Sequence, residues 1–137
     1  MPILRYTRTT HNIRITAIPI FLKDKSSQDD NIYTWAYSIA IENIGIETVQ
    51  LMRRSWQIID ENGFVQKVAG EGVVGEKPIL AMGKDFIYTS SVQLKTPSGV
   101  MSGSYLFHNL AGGSQDTFEV SIPMFSLDSP FTKESIA

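Results

Sequence analysis

The stretch that most restricts how this chain can fold is Tyr33-Thr34-Trp35-Ala36-Tyr37-Ser38-Ile39-Ala40-Ile41. Its odd positions are aromatic or aliphatic, and its even positions are small. A period of two is the period of a β-strand, so one face belongs in a core and the other can meet solvent or a second sheet. Wound as a helix, the same residues would scatter around a cylinder. Such a strand needs sheet partners, and the rest of the chain offers them.

Ile13-Arg14-Ile15-Thr16-Ala17 alternates before Pro19, which suits an edge or a strand end because proline donates no ladder hydrogen bond. Val49 and Leu51 open a strand whose apolar phase resumes at Trp56 and Ile58. The shift across Arg53-Arg54-Ser55 predicts a β-bulge, since one extra residue swaps the faces. Asp60-Glu61-Asn62-Gly63 reads as a hairpin turn, with Asn-Gly supplying positive φ at both centres, and residues 64–68 return from it. Further strands are expected at 86–90, 101–107 and 117–122, with turns at 43–45, 82–84, 96–99 and 111–114. No amphipathic helix is found. Residues 23–31 are polar and read as an exposed loop, and the tail is expected to be loosely held beyond Leu127. Seven or eight short antiparallel strands punctuated this regularly predict an all-β sandwich or barrel, within a single domain spanning 1–137.

Charge and cysteine content narrow the function. A formal charge of −2 offers no basic field to draw in nucleic acid or an acidic membrane surface. With no cysteine, thiolate zinc sites, iron–sulfur clusters and cysteine nucleophiles are excluded. The N-terminal residues show no signal-peptide pattern and no apolar run approaches a bilayer's thickness, so the expected location is the cytoplasm.

Gly70-Glu71-Gly72-Val73-Val74-Gly75 matches G-x-G-x-x-G letter for letter. In a dinucleotide fold those glycines open a helix whose N-terminus faces pyrophosphate. Pro78 follows too soon for that helix, and the acidic ribose-binding residue expected about twenty positions on is missing. Two readings remain: a loop whose glycines allow positive φ and close backbone approach, or a loop whose amides hold pyrophosphate or a nucleotide, with a divalent cation bridging Glu71 or Glu76. Arg53 and Arg54 beside Trp56 are likewise open to two readings. They form a partner-binding patch, or Trp56 is core and the arginines meet nearby carboxylates.

No metal site or cofactor is expected, because His11 and His108 lack ligand spacing and the acidic turn residues read as solvated. Ser90-Ser91 has no elbow motif around it, and Asp29-Asp30 sits in a polar loop with nothing to raise one pKa. No catalytic residues are identified, and an enzyme is not expected.

The chain nevertheless resembles a known family. Residues 41–45, Val49-Gln50-Leu51, Trp56-Gln57-Ile58-Ile59-Asp60, Gly63 and the run from Gly70 to Pro78 are similar to the bacterial ApaG family, as are residues 88–90, 94–105 and 118–127. The similarity covers residues 10–127. It implies an immunoglobulin-like or fibronectin type III-like sandwich without established catalytic activity, associated by family with cobalt and magnesium resistance. Bacterial genes of this family commonly neighbour a diadenosine tetraphosphate hydrolase. Related eukaryotic domains are joined to an F-box protein and a DNA polymerase delta-interacting protein, which implies protein–protein recognition. The glycine motif has been read in the family as a candidate pyrophosphate site. One departure stands out: the family usually has Arg-His-Trp where this chain has Arg54-Ser55-Trp56. The expectation is therefore a non-enzymatic binding module for a protein partner, with pyrophosphate or a nucleotide as the alternative ligand. Sandwich edges must be covered or paired, which leaves a homodimer through sheet edges or faces open.

Overall fold

The alternating segment lies within a strand, Tyr33–Asn43, in a computed structural model that describes residues 3–131. Tyr33, Trp35, Tyr37, Ile39 and Ile41 are all buried, as the period of two demands. In chain order the strands are β1 (Tyr6–Thr10), β2 (Ile13–Phe21), β3 (Tyr33–Asn43), β4 (Val49–Asp60), β5 (Val65–Glu71), β6 (Ile79–Leu80), β7 (Asp85–Leu94), β8 (Ser98–Asn109) and β9 (Thr117–Asp128). One sheet runs β1-β2-β3-β7 and the other β5-β4-β8-β9, with β6 paired to the start of β4. Every named pairing is antiparallel. Trp35, Leu51, Tyr105, Phe107, Phe125 and Leu127 fill the space between the sheets. Each such side chain contributes roughly 1.5–3 kcal/mol relative to exposure. This is the all-β, immunoglobulin-like sandwich expected.

The described residues hold nine strands rather than seven or eight, and the two extra ones explain themselves. β1 reads Tyr-Thr-Arg-Thr-Thr with an exposed middle, so no apolar alternation announces it. It pairs residue for residue with β2 across a turn at His11 and Asn12, whose φ values of 51° and 62° form the primed hairpin turn. β6 is only two residues long. Pro19 lies inside β2, in a stretch that β1 no longer reaches because their pairing ends at Tyr6 and Ala17. That stretch is a local edge, where a missing N–H costs nothing.

Three details differ from expectation. The β4 bulge falls between Leu51 and Arg53, so the extra residue is Met52. In the Asp60–Gly63 turn only Gly63 has positive φ, at 80°. Asp60 accepts from Gly63 N–H through its carbonyl and from the Asn62 and Phe64 amides through Oδ1. This is a type I turn closed by a left-handed glycine, and the aspartate supplies what the Asn-Gly pair was expected to supply. The chain also stays docked past Leu127: Ser129 is buried, and the Phe131 ring lies 6.4 Å from Phe21 and 6.3 Å from Tyr33. The rest of the tail is outside the described residues.

Candidate functional site

The two long sides of the sandwich are built differently. On one, β1 and β2 pack onto β9, and the rings of Tyr6 and Phe125 stand 6.0 Å apart. On the other, β5 and β7 are the last strands of their sheets and make no comparable contact. Between them runs a cleft of about 360 Å³. Tyr37, Trp56, Ile58 and Met101 line it from the core side, Gln66 and Val68 come from β5, and residues 90–93 come from β7. Every residue of β5 is exposed apart from half-buried Gly70.

The glycine motif joins this open side. Gly70 and Glu71 end β5, and residues 73–76 make a tight hairpin in which Val73 and Glu76 exchange two backbone bonds of 2.8 Å. Its centre, Val74 and Gly75, has φ values of 42° and 81°. Gly72 has φ +60°, and a Cβ there would stand 2.2 Å from the Glu76 carbonyl oxygen, so only glycine fits. Val73 is fully buried and anchors the turn to the core. No helix follows, as Pro78 implied. Among the loop amides, Gly72 donates to Met52 O and Val73 to Glu76 O, so anion binding here would fall to the amides of Glu71, Val74 and Gly75.

The structure brings the two arginines and the loop together. Arg54 Nη1 donates to the carbonyls of Glu71 and Gly72, each at 3.0 Å. Its guanidinium lies across Gly70, where a Cβ would meet it at 3.0–3.1 Å. Arg53 Nη1 reaches Glu71 Oε1 at 3.1 Å, and Lys77 Nζ reaches Glu71 Oε2 at 3.0 Å. Lys77, and after it Arg53, hold the Glu71 carboxyl below the usual carboxylate range. Trp56 is separate from this exposed network: it is buried, edge-on to Tyr37 at 5.3 Å and to Phe125 at 6.0 Å. Ser55, the position at which the resemblance implies a histidine, pairs across to Ala69 and Ser104 on the outer face of the sheet. A histidine there would project away from the cleft.

One feature of this region carried no sequence signal. Tyr88 and Tyr105 meet hydroxyl to hydroxyl at 2.5 Å inside the core. Burial pushes both phenols well above their ordinary value. Two tyrosines on different strands can be paired only once the sheets are stacked. The histidines stay apart: His11 stacks edge-on to Phe118 at 5.4 Å, and His108 Nε2 lies 3.0 Å from Gly113 O. Among the described residues no group of three His, Asp or Glu is placed to hold a metal ion, and no helix is long and apolar enough to cross a membrane.

The fold and this open side define a small antiparallel β-sandwich with a braced glycine hairpin and a cleft between two unpaired edges. Residues 23–109 match the ApaG domain. The chain is 50% identical to Protein ApaG of Rhodospirillum centenum, over 91% of this chain and 94% of that one. The crystal structure of an ApaA protein from Bordetella pertussis superposes with a TM-score of 0.83 at 36% identity, covering 96% of this chain and all of the other. The C-terminal domain of Wzt shares the fold, with a TM-score of 0.55 at 10% identity over 93% of this chain and 79% of that one. The chain belongs to the ApaG family.

Proposed function

We propose that this ApaG-family chain is a non-enzymatic recognition module that takes an extended segment of a cytoplasmic protein partner on its open side. The observation that carries the reading is the cleft with aromatic walls beside the unpaired edge of β7. An added strand would satisfy the outward backbone groups of β7 and drop alternate side chains toward Tyr37 and Trp56. Arg54 and the braced hairpin at residues 70–75 shape the opposite rim. With no three-residue His, Asp or Glu cluster among the described residues, the family association with cobalt and magnesium resistance is read as acting through that partner.

The outward orientation of β7 follows from its first bond to β3. Asn43 N–H donates to Lys84 O at 3.0 Å, so the even residues of β7 turn toward β3 and the odd ones toward the free edge. Ser91→Pro therefore removes an edge donor and leaves the β3 ladder intact. Affinity capture from a native extract, with wild type and Ser91→Pro side by side, tests the reading. A reproducible partner lost in the variant, with an unchanged circular dichroism spectrum, supports it. No reproducible partner, or equal capture by both proteins, overturns it.

A further inference from the structure

The free edge of β5 carries a charge pattern that complements itself. Its backbone orientation is fixed at both ends: Gly72 N–H donates to Met52 O at 2.8 Å, and Phe64 O accepts from Asp60 N–H at 3.1 Å. Both bonds continue the unbroken β4–β5 register, in which Arg53 faces Glu71 and Ile59 faces Val65. In an antiparallel ladder the N–H and C=O of one residue point to the same side. Even residues of β5 thus bond to β4, while Val65, Lys67, Ala69 and Glu71 turn their backbone groups away from it. Those four residues are exposed, and their side chains share the outer face of the sheet.

A second copy meeting this edge about a two-fold axis normal to the sheet must pair residues of the same face. One residue then lies on the axis, opposite itself. With Lys67 there, two ammonium groups would face each other, which is unfavourable. With Val68 there, Lys67 would lie opposite Ala69 and gain no charge partner directly across. With Ala69 there, each Lys67 falls opposite Glu71 of the second copy, twice over, joining Arg53 and Lys77 around that carboxylate, and the smallest side chain of the edge occupies the axis. The Glu71 carbonyl already accepts from Arg54, but a carbonyl has a second lone pair for an incoming amide.

We propose that the chain forms a two-fold dimer by joining β5 edges with Ala69 on the axis and Lys67 opposite Glu71 of the second copy. The two sheets become one, and the glycine hairpin of each copy sits at the junction. This interface leaves the β7 edge free, so it stands or falls independently of the partner reading above.

Sedimentation equilibrium from micromolar to millimolar protein tests it. Wild type dimerises, and Lys67→Glu or Glu71→Lys each weakens self-association about tenfold or more. An equimolar mixture of the two variants forms a heterodimer tighter than either homodimer, because an acid then meets a base at both positions. The chain has no cysteine, so Ala69→Cys gives a clean second readout. Opposed Cα atoms in such a pair lie about 5.5 Å apart, within disulfide reach, and oxidation cross-links the dimer. Monomeric wild type throughout, a mixture no tighter than its components, or an Ala69→Cys protein that does not cross-link would each overturn the proposal. Cross-linking of Val68→Cys in preference to Ala69→Cys overturns this register.

Discussion

The closed and open sides of the sandwich use the same strand chemistry for opposite ends. On the closed side β9 sits against β1 and β2, and Phe125 gathers Tyr6, Tyr37 and Trp56 around one ring. The open side has two edges that do not meet, and order there comes from hydrogen bonds at its periphery: Arg54 on two carbonyls, Glu71 between Arg53 and Lys77. Apolar burial is non-directional and holds the closed side without specific bonds. The exposed ion pairs of the open side contribute little to global stability and act mainly on local shape. Stability therefore resides on the closed side, and the recognition proposed above would use the open one.

The sharpest way to break this contrast is Phe125→Ala. The ring is fully buried among three aromatics, and its loss is expected to cost about 3–5 kcal/mol in urea denaturation. Truncating the open rim with Val68→Ala should cost under about 1 kcal/mol in the same assay. Equal costs would erase the distinction. Next comes Gly72→Ala, which combines a φ of +60° with a Cβ that would meet the Glu76 carbonyl. A loss of about 2–3 kcal/mol is expected, with amide NMR changes concentrated at residues 70–77.

The tyrosine pair tests where the cleft ends and the core begins. Tyr105→Phe leaves the Tyr88 hydroxyl without its partner inside the core and should cost about 1–2 kcal/mol. Replacing both tyrosines with phenylalanine should recover most of that loss. Val74 holds a β-branched side chain at φ 42°, so Val74→Gly is expected to stabilise the protein by about 0.5–1 kcal/mol. The smallest effect is on pH. The folded Glu71 carboxyl titrates below its unfolded value, so its contribution is present above the ordinary carboxylate range and is lost as pH falls through the lowered folded value. Hairpin amide shifts should titrate in that acid range in wild type and stay flat in Glu71→Gln.

The strand at residues 33–41, the bulge in β4 and the turn at residues 60–63 were legible because each has a local signature: period, phase shift or turn residues. The alternation alone puts the bulge slightly late, because Met52 is apolar and hides the point where the phase breaks. β1 is illegible for the converse reason, since a threonine-rich edge strand needs only backbone pairing and shows no periodicity. His11-Asn12 was a usable clue, as both residue types tolerate positive φ. The glycine motif was legible as a loop that no helix follows.

The sequence by itself therefore determined the class of fold and the nature of the glycine loop, because alternation, glycine and proline act over a few neighbouring residues. Tertiary structure alone decided that Arg54 reaches over Gly70 to the loop carbonyls, and that Trp56 is held inside while Arg53 faces Glu71. It alone decided that one side of the sandwich closes and the other stays open. Those outcomes depend on which strands end each sheet and how the sheets stack, and pairing between distant strands leaves no mark on local sequence.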